Sequence, residues 1–310
     1  MVDDAILKRY VDESSMKMSD VSKNQIYKNL QTLFNLSSAE IKDMTRQDFI
    51  DIFSQQRILA MQTFHSYKSK MIDFLIWMSE EGYCTQEPLF ALKGVRFEDI
   101  SRSGYYDMYY FSDYDDLFHS MEITFEGRGG DFDTFKVAAT LVWAGIQLEY
   151  AVDLLKKDFD DETGTIVHPK TKEIITFQPI AAEMIREYKN ASQYETNKFN
   201  GMVLQYKSSP YLLRTYRSGH LNKHGISHYS VVVNQLNQDA DKKYQWISIY
   251  QSGLYYRMYQ YEQEHGEIGR MNFDVLEKFF NAGSDKELKR KYAYGYKYDE
   301  YCEFRDYIYT

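Results

Sequence analysis

Residues 135–150, FKVAATLVWAGIQLEY, run directly into AVDLLKKDFD at 151–160. The stretch from Phe132 to Trp143 reads as an apolar helix and Ile146 to Leu155 as a second one, because apolar residues recur at helical rather than alternating spacing. Between residues 158 and 177 the period changes. Thr165-Ile166-Val167-His168 and Glu173-Ile174-Ile175-Thr176 flank Pro169-Lys170-Thr171-Lys172, the pattern of two short strands around a turn. Helical spacing resumes at Pro179–Asn190, then at Ser227–Asn237, Tyr244–Glu264 and Phe273–Asn281.

Upstream, the segment from Thr45 to Gly82 reads as two helices. Thr45 is placed as an N-cap with Asp48 in the first turn, ahead of Phe49, Ile50, Ile52 and Phe53. Phe64, Tyr67, Met71, Phe74, Leu75 and Met78 form the apolar stripe of the next helix, with Gly82 as its stop. The opposite side of that helix carries Thr63, Ser66, Ser69, Lys70 and Asp73, a small, polar and partly basic face able to meet a phosphate backbone. An acidic, tyrosine-rich stretch from Gly104 ends in Gly127-Arg128-Gly129-Gly130, and the abrupt change of composition marks a domain boundary. The expectation is a mainly α protein with an N-terminal helical domain at 1–103, an acidic linker at 104–130, and a second domain at 131–310 that adds a small antiparallel sheet to its helices.

The bulk composition agrees. The 310 residues are 44% hydrophobic and 16% aromatic, with 29 Tyr but only 4 Pro and 16 Gly, which favours packed helices over a loop-rich sandwich and excludes a disordered chain. No run approaches the ~18 apolar residues of a membrane span, and MVDDAILKRY lacks a signal pattern, so a cytoplasmic protein with no membrane partner is expected. Cys84 and Cys302 stand alone, with neither disulfide nor zinc spacing. The net charge of −9 argues at first against a nucleic-acid partner, but its distribution is uneven. Residues 107–133 hold eight acids against Arg128, whereas residues 186–238 hold seven bases (Arg186, Lys189, Lys198, Lys207, Arg214, Arg217 and Lys223) against Glu187 and Glu195. A basic tract on an acidic chain can mark a face for a polyanion.

The order of elements, helix, turn, short helix, hairpin and a helix opening with proline, resembles the start of the catalytic domain of the tyrosine recombinases, the phage integrase family. Ala144-Gly145-Ile146-Gln147-Leu148-Glu149 occupies the family's Thr-Gly-Leu-Arg-x-x-Glu turn, and MTRQDF followed by MQTFHSYKSKMIDFLIWMSEEG looks like the family's core-binding (SAM-like) helical bundle. The resemblance covers roughly residues 40–300. It implies a chemistry in which a tyrosine attacks a DNA phosphodiester, two arginines hold the non-bridging oxygens, a hairpin lysine protonates the leaving oxygen and histidines assist.

Carried over residue by residue, most of that machinery is missing. The first arginine falls on Gln147, and the His-x-x-Arg motif falls on Ser248-Ile249-Tyr250-Gln251. The later histidine or tryptophan falls near Gly283. Lys170 or Lys172 matches the hairpin lysine, and Tyr292 is spaced like the nucleophile, with Tyr294, Tyr296 and Tyr298 close by. Losing both guanidinium groups implies binding of duplex DNA without turnover, with no cofactor, as in family members that act as prophage repressors. The resemblance further implies two domains clamping operator DNA, possible self-association there, and possible release by a protein or peptide partner. The competing reading is an active recombinase using Arg214, Arg217, Arg257 and Tyr298; a third is an accessory protein that works through protein contacts alone.

The residues expected to touch DNA are Thr63, Ser66, Lys70, Lys170, Lys172, Lys198, Arg214, Arg217, Lys223 and His224. His220, His224 and His228 recur every four residues, but Gly225 is expected to interrupt a helix there and Lys223 to repel a cation, so no metal site is expected. Tyr255 to Tyr259 could stack on bases, but at helical spacing such a cluster is more often core. The aromatic and charged residues from Tyr292 to Tyr309 suit either docking on a neighbouring protomer or packing on their own domain.

Overall fold

A computed structural model describes residues 3–14, 19–56, 58, 61–197, 201–236, 242–280 and 287–309. The chain divides into two compact units, Met1–Met108 and Tyr109–Thr310.

The first unit is helical. Helices α1 (Asp4–Ser14) and α2 (Asp20–Phe34) pack on each other and precede α3 (Arg46–Ser54), α4 (Met61–Glu80) and α5 (Glu87–Lys93). Thr45 caps α3 as its sequence requires: its hydroxyl accepts the Asp48 N–H, and the Asp48 carboxylate takes the Thr45 N–H at 2.8 Å. The stripe on α4 is buried at Phe64, Met71, Phe74, Leu75 and Met78. Gly82 has φ +74°, and the Tyr83 N–H reaches back to the Met78 carbonyl at 2.8 Å, so a left-handed glycine ends the helix. Leu30, Phe34, Phe49 and Phe53 complete the core with these residues. The two N-terminal helices are absent from the sequence reading. Each buries only three residues, Leu7, Tyr10 and Val11 on α1 and Leu30, Leu33 and Phe34 on α2, too few for a periodic signal.

Residues 104–130 do not form the expected linker. Helix α6 (Ser103–Tyr109) closes the first unit, and α7 (Tyr114–Phe125) belongs to the second. Tyr110, Phe111, Tyr114, Leu117, Met121 and Phe125 are buried in or against the second unit's core, while Asp115, Glu122 and Glu126 face solvent. Asp113 caps α7 by accepting the Asp116 N–H at 2.8 Å, so the acids there stabilise a helix N-terminus. High acid content had masked the helical spacing of the apolar residues between them.

Helix α8 (Asp133–Trp143) forms the centre of the second unit, with every residue from Thr134 to Trp143 buried except Lys136. The turn Ala144–Gln147 leads to α9 (Leu148–Ala151), which makes a single turn where a helix to Leu155 was expected. Strands β1 (Phe159–Asp160), β2 (Thr165–Val167) and β3 (Ile174–Thr176) follow as an antiparallel sheet in that order, with Ile166 opposite Ile175. Helix α10 (Pro179–Asn190) opens with its proline in the first turn. A second hairpin, β4 (Gln193–Thr196) and β5 (Met202–Gln205), was not foreseen.

Helix α11 (Lys223–Leu236) starts four residues before Ser227 and contains Gly225, which does not interrupt it. The Asn222 side chain accepts the Gly225 N–H at 2.8 Å, and a glycine in a capped first turn costs little. Helices α12 (Trp246–His265), α13 (Phe273–Phe280) and α14 (Glu287–Ile308) complete the unit. Tyr255 and Met258 are core residues of α12. On α14, Tyr298, Tyr301 and Phe304 are buried, and the Tyr301 hydroxyl bonds to Glu262 of α12 at 2.7 Å, so this helix packs on its own domain.

Candidate nucleic-acid site

The chemistry of the second unit converges where α8 ends. A cleft of about 560 Å³ lies between the Ala144–Gly145 turn, the β2–β3 hairpin, α12 and α13, with Gly145, His168, Thr171, Tyr250, Arg257 and Lys278 among its walls. Gly145 has φ +103°, and a Cβ there would stand 3.0 Å from Nη2 of Arg257, so glycine permits both the turn and the close approach of a guanidinium.

Arg257 is largely enclosed, with part of its surface on the cleft. Its Nη1 donates to the Trp143 carbonyl at 2.6 Å, satisfying an oxygen at the end of α8. Burial pulls its pKa down to about 10, which still leaves it charged at neutral pH. Among the described residues it has no carboxylate partner. A desolvated cation without a counterion at a cleft wall is suited to receive an anion.

His168 lies beside it in the hairpin turn. Its Nδ1 accepts the N–H groups of Lys170 at 3.1 Å and Thr171 at 3.0 Å, which assigns the proton to Nε2, facing the Gly145 carbonyl at 3.4 Å. Burial lowers its pKa, so the ring is neutral near pH 7 and acts as a strut between hairpin and turn.

Of the positions aligned with the family's catalytic residues, Gln147, Lys170, Lys172, Ser248 and Gln251 are not among the walls of this cleft. Tyr250, Leu254 and Arg257 form the stripe of α12 that faces it. Ser248 and Gln251 face the core, where the Gln251 Oε1 accepts the Tyr110 hydroxyl at 2.7 Å. Gln147 is half-buried at the N-cap of α9. Lys170 and Lys172 are exposed at the hairpin tip, and Lys172, at φ +64°, folds its ammonium onto the Pro169 carbonyl at 2.6 Å. Gly283 and Lys198 lie outside the described residues, as does the side chain of Tyr292 on α14.

The basic tract is partly consumed by structure. Arg214, expected on a phosphate, is 3% exposed, and its Nη2 donates to the carbonyls of Tyr188, Lys189 and Ala191 at 3.2, 3.2 and 2.5 Å. It caps the C-terminus of α10 and cannot reach DNA. Lys223 is exposed but pairs with Glu149 at 2.7 Å. His220 bonds Asp153 at 3.1 Å and stacks on Tyr211, whereas His224 and Arg217 are exposed. Among the described residues no group of three or more His, Cys, Asp or Glu is placed to hold a metal. In the first unit, Thr63 and Ser66 are exposed on one face of α4, with Lys70 half-exposed and its ammonium 5.7 Å from the Tyr67 ring centre. Among the described residues no helix is long and apolar enough to cross a membrane.

No family model matches the chain, and no curated protein matches it. Solved structures do. A lambda integrase (75–356) dimer bound to a COC′ core site is 12% identical over 95% of each chain, with a TM-score of 0.35. XerA recombinase is 12% identical over 97% of this chain and 98% of its own, with a TM-score of 0.40. The Tn1549 transposon integrase in complex with circular intermediate DNA is 11% identical over 95% of each chain, with a TM-score of 0.40. Identity is low throughout and the superpositions are loose.

Sequence reasoning gave Arg257 only a place in the competing reading and passed over His168. A signal for the first existed: Arg257 is the sole Lys or Arg in the twenty residues of α12, set among tyrosines. An isolated cation on a buried helix has either a structural partner or a ligand.

Proposed function

We propose that the chain is a DNA-binding protein of the tyrosine-recombinase type that does not cleave its substrate, and that it acts as a prophage repressor. It resembles the master repressor of SPβ-like prophages, which holds lysogeny by occupying operator-like duplex sites. The supporting observation is that, among the described residues, Arg257 is the only guanidinium on the cleft at the end of α8. Strand cleavage passes through a phosphorane whose added charge needs preorganised donors, and each missing donor costs about 10²- to 10³-fold in rate. One guanidinium can hold a phosphate; a pair is what drives the chemistry. The active-recombinase reading fits less well, because Arg214 caps a helix and the Tyr298 hydroxyl is buried against the Ile268 carbonyl.

The test is binding to DNA from the chain's own upstream region across a salt series, together with a suicide substrate. A sequence-preferring, salt-sensitive complex and no covalent adduct are expected. An adduct abolished by changing one tyrosine would overturn the assignment, as would an affinity indifferent to salt.

Arg257→Gln is expected to weaken the complex roughly tenfold and to reduce the slope of log affinity against log salt by about one, with Arg257→Lys keeping the slope. Circular dichroism checks that both variants are folded. An unchanged slope in folded Arg257→Gln removes this residue from the DNA site. Lys170 and the Thr63, Ser66 and Lys70 face are proposed as further backbone contacts. Self-association on DNA and release by a protein or peptide partner belong to the same proposal.

A further inference from the structure

We propose that the second unit carries a separate binding site for a small zwitterion, a free α-amino acid or a dipeptide, in a tyrosine-walled cavity lined by both Asp131 and Arg217. The cavity measures about 280 Å³ and lies between residues 130–134, the β4–β5 hairpin, residues 215–217 and α11. It shares no lining residue with the cleft at Arg257.

Among the described residues neither Asp131 nor Arg217 has an ion-pair partner. Asp131 accepts the Thr196 hydroxyl on Oδ1 at 2.6 Å, and its Oδ2 has no bonded partner among the described residues. The Arg217 guanidinium lies 5.0 Å from the Tyr216 ring centre and meets no carboxylate among the described residues. The two do not pair with each other although both line the cavity. An acid and a base left apart in this way are complementary to a ligand that brings an ammonium to Asp131 and a carboxylate to Arg217, each through a charge-assisted hydrogen bond.

The walls suit the rest of such a ligand. Tyr194, Tyr206, Tyr216 and Tyr229 line the cavity and give it aromatic surface for an apolar side chain. The hydroxyls of Tyr194, Tyr216 and Tyr229 have no hydrogen-bond partner among the described residues. Burial, and then the charge of Asp131, pushes the Tyr194 phenol up, while burial and then Tyr216 and Asp131 do the same for Tyr229, so both stay protonated donors. The volume lies just under the ~300–1,000 Å³ of ordinary ligand sites, which fits an amino acid better than a nucleotide, and Asp131 opposes a phosphate.

Calorimetric titration of the full chain tests this, with L-phenylalanine, L-leucine and the dipeptide Gly-Phe as zwitterionic probes. N-acetyl-L-phenylalanine and L-phenylalaninamide, each lacking one charge, are the comparison. L-phenylalanine should bind, and each capped form should bind roughly tenfold more weakly or worse. Asp131→Asn should erase the penalty for N-acetylation, and Arg217→Gln the penalty for amidation, in proteins with unchanged circular dichroism. Preference for the free amino acid points to a metabolite and preference for the dipeptide to a short free peptide; either upholds the site. The proposal fails if no zwitterion binds at millimolar concentration, if capping makes no difference, or if neither folded variant changes the affinity.

Discussion

Gly253→Ala should lower the stability of the second unit by about 3 kcal/mol or more, at the upper end of what overpacking costs. A Cβ at this position would lie 2.0 Å from the Trp143 carbonyl oxygen and 2.8 Å from its carbon. These are backbone atoms of the central helix, so no side-chain rotation relieves the clash, and α12 has to move away from α8. That displacement also withdraws Arg257 from the Trp143 carbonyl, which it meets at 2.6 Å, leaving a helix-terminal oxygen unsatisfied. For a unit of this size each kcal/mol is worth about 2–4 °C, so a fall of roughly 10 °C in Tm is expected by calorimetry. Gly225→Ala supplies the contrast. A Cβ there would find nothing nearer than the Asn222 Oδ1 at 3.5 Å, and the backbone is already helical, so it should be neutral or raise stability by up to ~1 kcal/mol. Equal melting of the two variants would show that α8 and α12 do not cross at Gly253.

Arg214→Met should cost about 2–4 kcal/mol, from loss of a charged donor to three carbonyl oxygens that burial then leaves unsatisfied. Those oxygens belong to the last turn of α10 and the residue after it, where the helix dipole favours a cation. The guanidinium also lies 5.0 Å from the Tyr206 ring centre and 5.9 Å from that of Tyr188, while the Tyr188 hydroxyl ties the Arg214 backbone to the same helix. Arg214→Lys should recover only part of the loss, since an ammonium lacks the planar fork. Chemical denaturation measures the cost. The DNA salt slope of the folded variant should equal that of the parent, because this arginine neutralises no phosphate; a lowered slope would return it to the binding face.

Local signals were read where neighbouring residues supply both the pattern and its cause. The Thr45–Asp48 capping box, the α4 stripe ended by Gly82, the proline at the start of α10, and the strands around Pro169–Lys172 each need only a few adjacent residues. Helix α7 was missed because its acids are a cap and a solvent face, which net composition cannot separate from a linker. The second hairpin was missed because its strands carry polar residues and face solvent at Met202 and Val203, with little alternation to detect.

The candidate site was less legible than the fold. Gln147 and Gln251 can be named from the sequence, but only packing turns Gln251 toward Tyr110 and leaves Arg257 on the cleft six residues later. Arg214 and Arg217 are three residues apart in one basic tract, yet one caps a helix and the other reaches solvent. The chain alone therefore determined the helical class, the caps and stops of α3, α4 and α10, and the β2–β3 hairpin, since these follow from residue type and short-range spacing. Which cations stay available to a ligand was decided only by the tertiary structure, because a charge finds its partners through contacts between residues distant in the chain, and burial sets the cost of leaving it without one.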